Sequence, residues 1–194
     1  YKTAFVLAHK LREAMAQEVQ TGVVLDGHVE VDGAYFGGHV RPENAKADRK
    51  DRRLKENRSD KRRVVVAMRE RTGRTFPFVR MSEGEGVALV NENVDRMATI
   101  SADEASHWDL LHAGWDVERV NHSEIYSDHG KHTNMAESYF SRLRRMVGGQ
   151  HHHVSPQYLH QYANHAAWME DNRRTDNGTL AHTLVSNAMD ARVS

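Results

Sequence analysis

The order of the periodic segments constrains the fold of this chain more than any other feature of its sequence. Apolar residues recur at helical spacing in YKTAFVLAHKLREAMAQE (1–18), and VEVDGAYF (29–36) then alternates as a strand does. RVVVAMRE (63–70) and FPFVRM (76–81) form a predicted hairpin, in which Pro77 indicates an edge strand or an irregular strand. Because helix and strand alternate after these three strands, the order predicts an α/β domain with a mixed sheet flanked by helices on both faces.

The second half of the chain completes this pattern. It carries predicted helices, strands and a tail in this order: helix 85–96, strand 97–104, helix 104–114, strand 115–122, a helix after the turn at 127–133, a helix starting at Ser155 and Pro156, and a tail or one trailing helix beyond 176. The bounds of these predicted helices and strands indicate one domain over 21–175, preceded by a helix at 1–20 and followed by a tail at 176–194.

Composition limits the class of protein. A length of 194 residues with 39% hydrophobic residues suits one domain with a substantial core. The chain has no cysteine, no apolar run of membrane-spanning length and no signal peptide, which together indicate a soluble intracellular protein without disulfides. Lys plus Arg equals Asp plus Glu at 27 each, yet the loop 37–63 is basic, which is typical of a solvated loop or of a phosphate-binding surface.

Three acids stand at informative places in the order of elements. Asp32 lies within the first strand, Asp103 ends the fourth, and Glu137 lies in the first turn of the helix after the fifth. Each has an ordinary explanation: Asp32 as a solvent-facing strand residue, Asp103 as a helix cap, and Glu137 as the partner of Asn134 in a capping box. If they converge, they require a counter-ion, and carboxylates without His or Cys suit Mg²⁺ or Mn²⁺.

Several sequence blocks together resemble the catalytic domain of DDE transposases of bacterial insertion sequences. The blocks are VDGAYFGG (31–38), ADE (102–104), NHSEIYSDHGKHTNMAESYFSRLRR (121–145), GGQHHHVSPQYL (148–159) and MEDNRR (169–174). They are similar to the branch whose intact members carry a zinc ribbon and a helix-turn-helix ahead of the catalytic domain. The resemblance runs from about residue 1 to 174, and the helix at 1–20 resembles the end of that DNA-binding region.

The resemblance implies a ribonuclease-H-like fold and a catalytic triad of Asp32, Asp103 and Glu137. It implies two Mg²⁺ or Mn²⁺ ions at the triad, double-stranded DNA as the partner, both as transposon ends and as target, and a homo-oligomer assembled on that DNA in the bacterial cytoplasm. The implied reaction is cleavage and strand transfer at insertion-sequence ends. A hydrolytic nuclease of the same fold and an inactive, transposase-derived DNA-binding module are the alternatives.

This sequence departs from the commonest pattern of the family at two positions. Many members have an acid directly after the first Asp, where this chain has Gly33, and His165 stands where an acid is frequent. Some relatives have the third catalytic position ascribed to an Asn, so Asn134 is a second candidate metal ligand beside Glu137. Glu137 is favoured because a carboxylate is the better ligand for a hard cation.

Basic residues surround the predicted third acid. The candidates for contact with DNA phosphates are Lys131, His132, Arg142, Arg144 and Arg145, of which Arg144 is favoured because it lies two turns after Glu137. The alternative for the arginines is a solvated helix face near a C-terminus. His151, His152 and His153 cannot all face one metal on a regular element, so they are interpreted as loop contacts or structural hydrogen bonds.

Overall fold

A computed structural model describes residues 1–22, 24–38, 45–51, 54–57, 60–103, 105–120 and 133–190. The helices are α1 (Lys2–Gln20), α2 (Gly86–Asn93), α3 (Asn134–Arg144), α4 (Leu159–Asp171) and α5 (Asn177–Asp190). The strands are β1 (His28–Phe36), β2 (Arg63–Glu70), β3 (Thr75–Arg80), β4 (Thr99–Asp103) and β5 (Asp116–Val120). None of the helices in this part of the chain is both long enough and apolar enough to cross a membrane.

The five strands form one mixed sheet in the order β3-β2-β1-β4-β5. β1 pairs antiparallel with β2, and β2 pairs antiparallel with β3. β4 lies parallel to β1 on its other side, and β5 lies parallel to β4. The predicted ribonuclease-H-like mixed sheet flanked by helices is therefore confirmed, and Pro77 lies on an edge strand, where its missing N–H breaks no ladder.

The interior strand β2 shows that both faces of the sheet are covered. Every residue from Val64 to Glu70 is buried, which a sheet with one solvated face would not allow. Arg69 projects toward α3 and α4, where it donates to the carbonyl of Met135. Val66 projects to the opposite face, toward the start of α2 and the indole of Trp108. The core thus forms two layers, one on each side of the strands.

Three elements differ from the sequence prediction in kind or extent. The predicted helix 104–114 is a 3₁₀ helix over Ser106–Ala113, because Trp108 and Leu111, three residues apart, are both fully buried on one side of it. α3 continues into a π-helical segment, Arg145–Gln150. The trailing segment does form a helix, α5, and its Asn187 donates to Glu18 on α1.

Helix α1 packs on the domain through hydrogen bonds at several points along its length. His9 pairs with Gln161 of α4, and Trp168 of α4 donates to Glu18 at 3.0 Å. Gln20, at the last position, donates both to Asn164 and to the carbonyl of Pro77. The first helix is therefore bound to the same core as the sheet.

The first turn of α3 is bound to the sheet by a buried acid. Glu30 of β1 is fully buried, and its Oε2 accepts hydrogen bonds from the backbone N–H groups of Met135 at 2.8 Å and Ala136 at 3.0 Å. Those two N–H groups have no partner within the helix, and a negative charge beside them is favoured by the helix dipole. Thr133 occupies the N-cap position. The expected cap by Asn134 is therefore wrong, since Glu30 satisfies the helix start from outside.

We predict that Glu30→Gln lowers the free energy of unfolding by about 2 kcal/mol, because an amide has one acceptor oxygen and no charge to offer the two N–H groups. Urea denaturation followed by circular dichroism measures the change. Glu92→Gln is the matched control, because Glu92 is exposed on α2. An equal midpoint for both variants would contradict a stabilising role for the Glu30 carboxylate.

Candidate functional site

The three acids singled out in the sequence line one cavity. It has a volume of about 310 Å³ and lies between the sheet and α3. Its lining residues are Asp32, Asp103, Glu137, Phe140, Ser141 and Arg144. Asp103 lies 71 positions after Asp32, and Glu137 lies 105 positions after it, so it is the fold that brings the three acids to one place.

Strand pairing places the first two acids side by side. β1 and β4 run parallel, with Val31 opposite Ala102, so Asp32 and Asp103 directly follow the last paired residues of the two strands. Asp32 Oδ1 accepts from the N–H of Gly33 at 2.7 Å, and Asp103 Oδ1 accepts from the N–H of Ala105 at 3.0 Å. Each carboxylate is therefore oriented by a backbone N–H that follows it in the chain. For Asp103, this N–H belongs to Ala105, the N-cap residue of the 3₁₀ helix that Asp103 itself was considered to cap.

The third acid comes from α3, one turn beyond the helix start held by Glu30. The N–H of Glu137 donates to the carbonyl of Thr133, an ordinary helical bond. Asn134 begins the helix with its side chain exposed, and it is not among the residues that line the cavity. Of the two candidates for the third position, the carboxylate is the one that faces the site.

The electrostatics of Asp32 reflect its position among like charges. The pKa of Asp32 is raised to about 6, chiefly by burial and also by the nearby charges of Asp103 and Glu137, while the N–H of Gly33 and the guanidinium of Arg144 act in the opposite direction. A carboxyl group whose pKa is raised by burial and by like charges is typical of a site that needs a cation. Arg144 supplies only part of that compensation.

The three arginines of this region have different surroundings. Arg144 lines the cavity, and its guanidinium lies 5.8 Å from the centre of the Phe140 ring. Arg142 forms an ion pair with the buried Glu170 at 2.8 Å, and Arg145 donates to the carbonyl of Ser141 on the exposed side of the helix. Arg142 therefore has a structural partner, while Arg144 is the arginine best placed to meet a ligand in the cavity.

The donor chemistry of the cavity suits a hard divalent cation, because its described lining residues offer carboxylate oxygens and neither sulfur nor imidazole. Within the described residues, no three His, Cys, Asp or Glu side chains already lie close enough together to hold a metal ion. Asp32, Asp103 and Glu137 are the residues that would hold such a cation through their carboxylate oxygens.

A fourth acid, Glu83, lies beside the site and was not anticipated from the sequence. It begins a short 3₁₀ turn, Glu83–Glu85, ahead of α2. Burial raises the pKa of Glu83, and the charges of Asp103 and Asp32 raise it further, while Arg62 lowers it. Its Oε2 lies 3.5 Å from Nε2 of His107. The segment SEGEG shows only the Ser82–Glu85 capping-box pattern, which marks a helix start and carries no sign of a site.

Several other predicted residues lie away from the cavity or beyond the described part of the chain. Lys131 and His132, the turn before α3 and much of the basic loop lie outside the described residues. The His151 ring packs edge-on against Tyr162 at 4.8 Å, which agrees with a structural interpretation of the histidine run. His165 lies on α4, where its pKa is lowered to about 4, chiefly by burial and also by the positive charges of Arg12 and His151.

Comparison with known proteins identifies the family. The family model of the ISXO2-like transposase domain matches residues 24–171, which is more than half of the chain. The chain therefore belongs to the ISXO2-like transposase domain family. The resemblance to insertion-sequence transposases is confirmed at this level, and the match spans the strands and helices that carry the three acids. No curated protein matches the chain.

Two solved structures of a transposase are distantly similar. The Mos1 mariner paired end complex with Mn is 10% identical, covering 94% of this chain and 62% of that chain, with a TM-score of 0.33. The Mos1 strand transfer complex is 11% identical, covering 93% and 61%, with a TM-score of 0.30. This chain thus spans about three fifths of the length of the Mos1 chains.

The position of His165 predicts a pH-dependent stability. Because the pKa of His165 is about 4 in the folded chain and near 6.5 when unfolded, the unfolded state binds the proton more readily between these values. The stabilisation is complete above pH 6.5 and is lost as the pH falls toward 4. Wild type should lose about 1–2 kcal/mol more than His165→Gln between pH 7 and pH 5. Urea denaturation at both pH values gives the comparison, and equal losses would contradict the prediction.

Proposed function

We propose that the chain is the catalytic domain of a transposase that cleaves and joins DNA strands at insertion-sequence ends. The observation that carries the proposal is the cavity lined by Asp32, Asp103 and Glu137, within a domain of the ISXO2-like transposase family. The three carboxylates converge from two parallel strands and one helix, and the cavity also contains one arginine. This combination suits a reaction on a phosphodiester of DNA. The DNA backbone is anionic, so catalysis at its phosphorus needs a cation.

Each side chain has a defined role in this proposal. Asp32, Asp103 and Glu137 would hold two Mg²⁺ or Mn²⁺ ions through carboxylate oxygens. When bound, such ions supply Lewis-acid stabilisation of the attacking and leaving oxygens of an in-line displacement. Arg144 would contact a non-bridging phosphate oxygen and position the scissile bond in the cavity.

The reaction proposed has two displacements of the same chemical type. In the first, water attacks the phosphorus at the insertion-sequence end, the P–O3′ bond breaks, and a free 3′ hydroxyl is released. In the second, that 3′ hydroxyl attacks a phosphorus of target DNA, forming a new phosphodiester while a target 3′ oxygen leaves. The phosphodiester bonds balance in the second step, so strand joining needs no nucleotide cofactor.

Substitution of Asp103 tests the catalytic assignment. Asp103→Asn retains Oδ1 for the N–H of Ala105, so the fold should be preserved, but the lost charge should reduce strand transfer at least a hundredfold. Joining of end-containing DNA to a target plasmid in Mg²⁺ or Mn²⁺ measures the effect. Asp116→Asn is the matched control, since Asp116 is exposed at the start of β5.

The outcomes separate the proposal from its two alternatives. Wild-type joining by Asp103→Asn would contradict the assignment of the triad. Cleavage without joining by the wild type, lost in Asp103→Asn, would indicate a hydrolytic nuclease. DNA binding by the wild type with neither activity and no Mn²⁺ binding would indicate an inactive DNA-binding module.

Substitution of Arg144 tests the proposed DNA contact. Arg144→Gln removes the cation that lines the cavity and should weaken binding of end-containing DNA about tenfold. The slope of log affinity against log salt concentration should fall by about 1, as for the loss of one phosphate contact. Fluorescence anisotropy over a salt series measures both quantities. Arg174→Gln is the control, because Arg174 is an exposed arginine beyond the end of α4, and equal slopes for both variants would contradict the contact.

A further inference from the structure

The space in front of Gly33 is filled by the side chain of Glu83. A Cβ atom at position 33 would lie 2.7 Å from Cγ, 2.9 Å from Oε1 and 3.0 Å from Cδ of Glu83. Contacts this short do not occur for real Cβ atoms, so the two side chains cannot coexist without movement. The φ angle of Gly33 lies outside the left-handed region, so the need for glycine here is steric.

The turn that carries Glu83 is fixed by its own hydrogen bonds. Glu85 Oε1 accepts from the N–H of Ser82 at 3.0 Å and from the N–H of Met81 at 3.2 Å, forming a capping box ahead of α2. Gly86, immediately after this turn, packs so closely against Trp108 and Val66 that it has no room for a side chain. Glu83 is therefore held against β1 by a turn that is anchored at both ends.

Glu83 approaches the site from the face of the sheet opposite to Glu137. Side chains alternate along β1, so the Cβ direction of Gly33 points away from the face on which Asp32 and Glu30 lie. β4 ends at Asp103, one position beyond the residue paired with Val31, and the charges of Asp103 and Asp32 both act on Glu83. The acids of the site thus come from both faces of the sheet around the end of one short strand.

The imidazole beside Glu83 leaves its negative charge largely in place. His107 Nε2 is buried, lies 3.5 Å from Glu83 Oε2 and makes no hydrogen bond within the described part of the chain. Burial lowers the pKa of His107, and Arg119 lowers it further while Asp103 raises it, so the ring is mainly neutral at pH 7. Among the described residues, the cation whose charge acts on Glu83 is Arg62, whose guanidinium stacks at 4.0 Å over the Tyr35 ring.

We infer that Glu83 is a fourth acidic residue of the candidate site, which strengthens its binding of divalent cations, and that Gly33 is required because it leaves room for this side chain. The inference rests on the proposed function. Glu83 is a positioning residue: its charge adds to the field at Asp32 and Asp103 and favours a cation held between them. The position of the Glu83 side chain therefore depends on the glycine at position 33.

Direct measurement of metal binding tests the role of Glu83. Isothermal titration of the full chain with Mn²⁺ should show about tenfold weaker binding for Glu83→Gln than for wild type, because one negative charge near the cation is removed. The difference should shrink at high ionic strength, as expected for a charge that acts through space and not for a structural change. Glu92→Gln, an exposed acid on α2, is the matched control and should bind Mn²⁺ as wild type does. Wild-type affinity in Glu83→Gln would overturn the inference.

A double-mutant cycle tests the link between Gly33 and Glu83. Gly33→Ala should displace the Glu83 side chain and weaken Mn²⁺ binding about as much as Glu83→Gln does. In a Glu83→Ala background, where the space is empty, Gly33→Ala should change neither Mn²⁺ affinity nor thermal stability further. An equal effect of Gly33→Ala in both backgrounds would show that Gly33 is needed for another reason and would overturn this part of the inference.

The variant Asp103→Asn separates failure of this inference from failure of the proposed function. If Asp103→Asn abolishes Mn²⁺ binding and Glu83→Gln does not change it, the triad assignment stands and the role of Glu83 is wrong. If Asp103→Asn binds Mn²⁺ as wild type does, the proposed metal site itself is wrong, whatever Glu83 does.

Discussion

The carboxylate of Glu30 is the interaction on which the geometry of the candidate site depends. It is fully buried in β1 and accepts two hydrogen bonds from the first turn of α3, so it fixes that helix to the central sheet at the point where the helix begins. Arg69 of β2 donates to Met135 in the same turn and pairs with Glu170 of α4. Since Glu137 lies in this turn, the bond between strand and helix start determines where the third carboxylate lies.

The site itself is an accumulation of negative charge that the fold compensates only in part. Asp32, Asp103 and Glu137 share one cavity with Arg144, and burial together with these like charges raises the pKa of Asp32 to about 6. The buried Glu170 differs from them, because it is surrounded by Arg69, Arg142 and Arg173. The contrast between a neutralised acid and an incompletely neutralised group of acids supports the proposal that a cation completes the second.

The sequence predicted the sheet, the places of the three acids and the edge position of Pro77, because each depends on local periodicity and on the order of elements. It did not predict the cap of α3 or the role of Glu83. The pair Asn134 and Glu137 resembles a capping box, yet Glu30, more than a hundred residues earlier, supplies the acceptor. From the sequence, Gly33 looks like the loss of the acid that many family members have at this position. The structure shows that the side chain of Glu83 fills the space beside it.

The sequence by itself determined which segments are strands and helices, that the sheet is mixed and covered on both faces, and which acids stand at the ends of its elements. Alternation and helical spacing are patterns of apolar and polar residues within short segments of the sequence, so they can be recognised without the fold. Only the tertiary structure decided that Glu30 caps α3, that Glu137 and not Asn134 lines the cavity, and that Glu83 fills the space left by Gly33. Those relations join residues far apart in the chain, and their energies depend on burial and distance, which exist only once the elements are packed together.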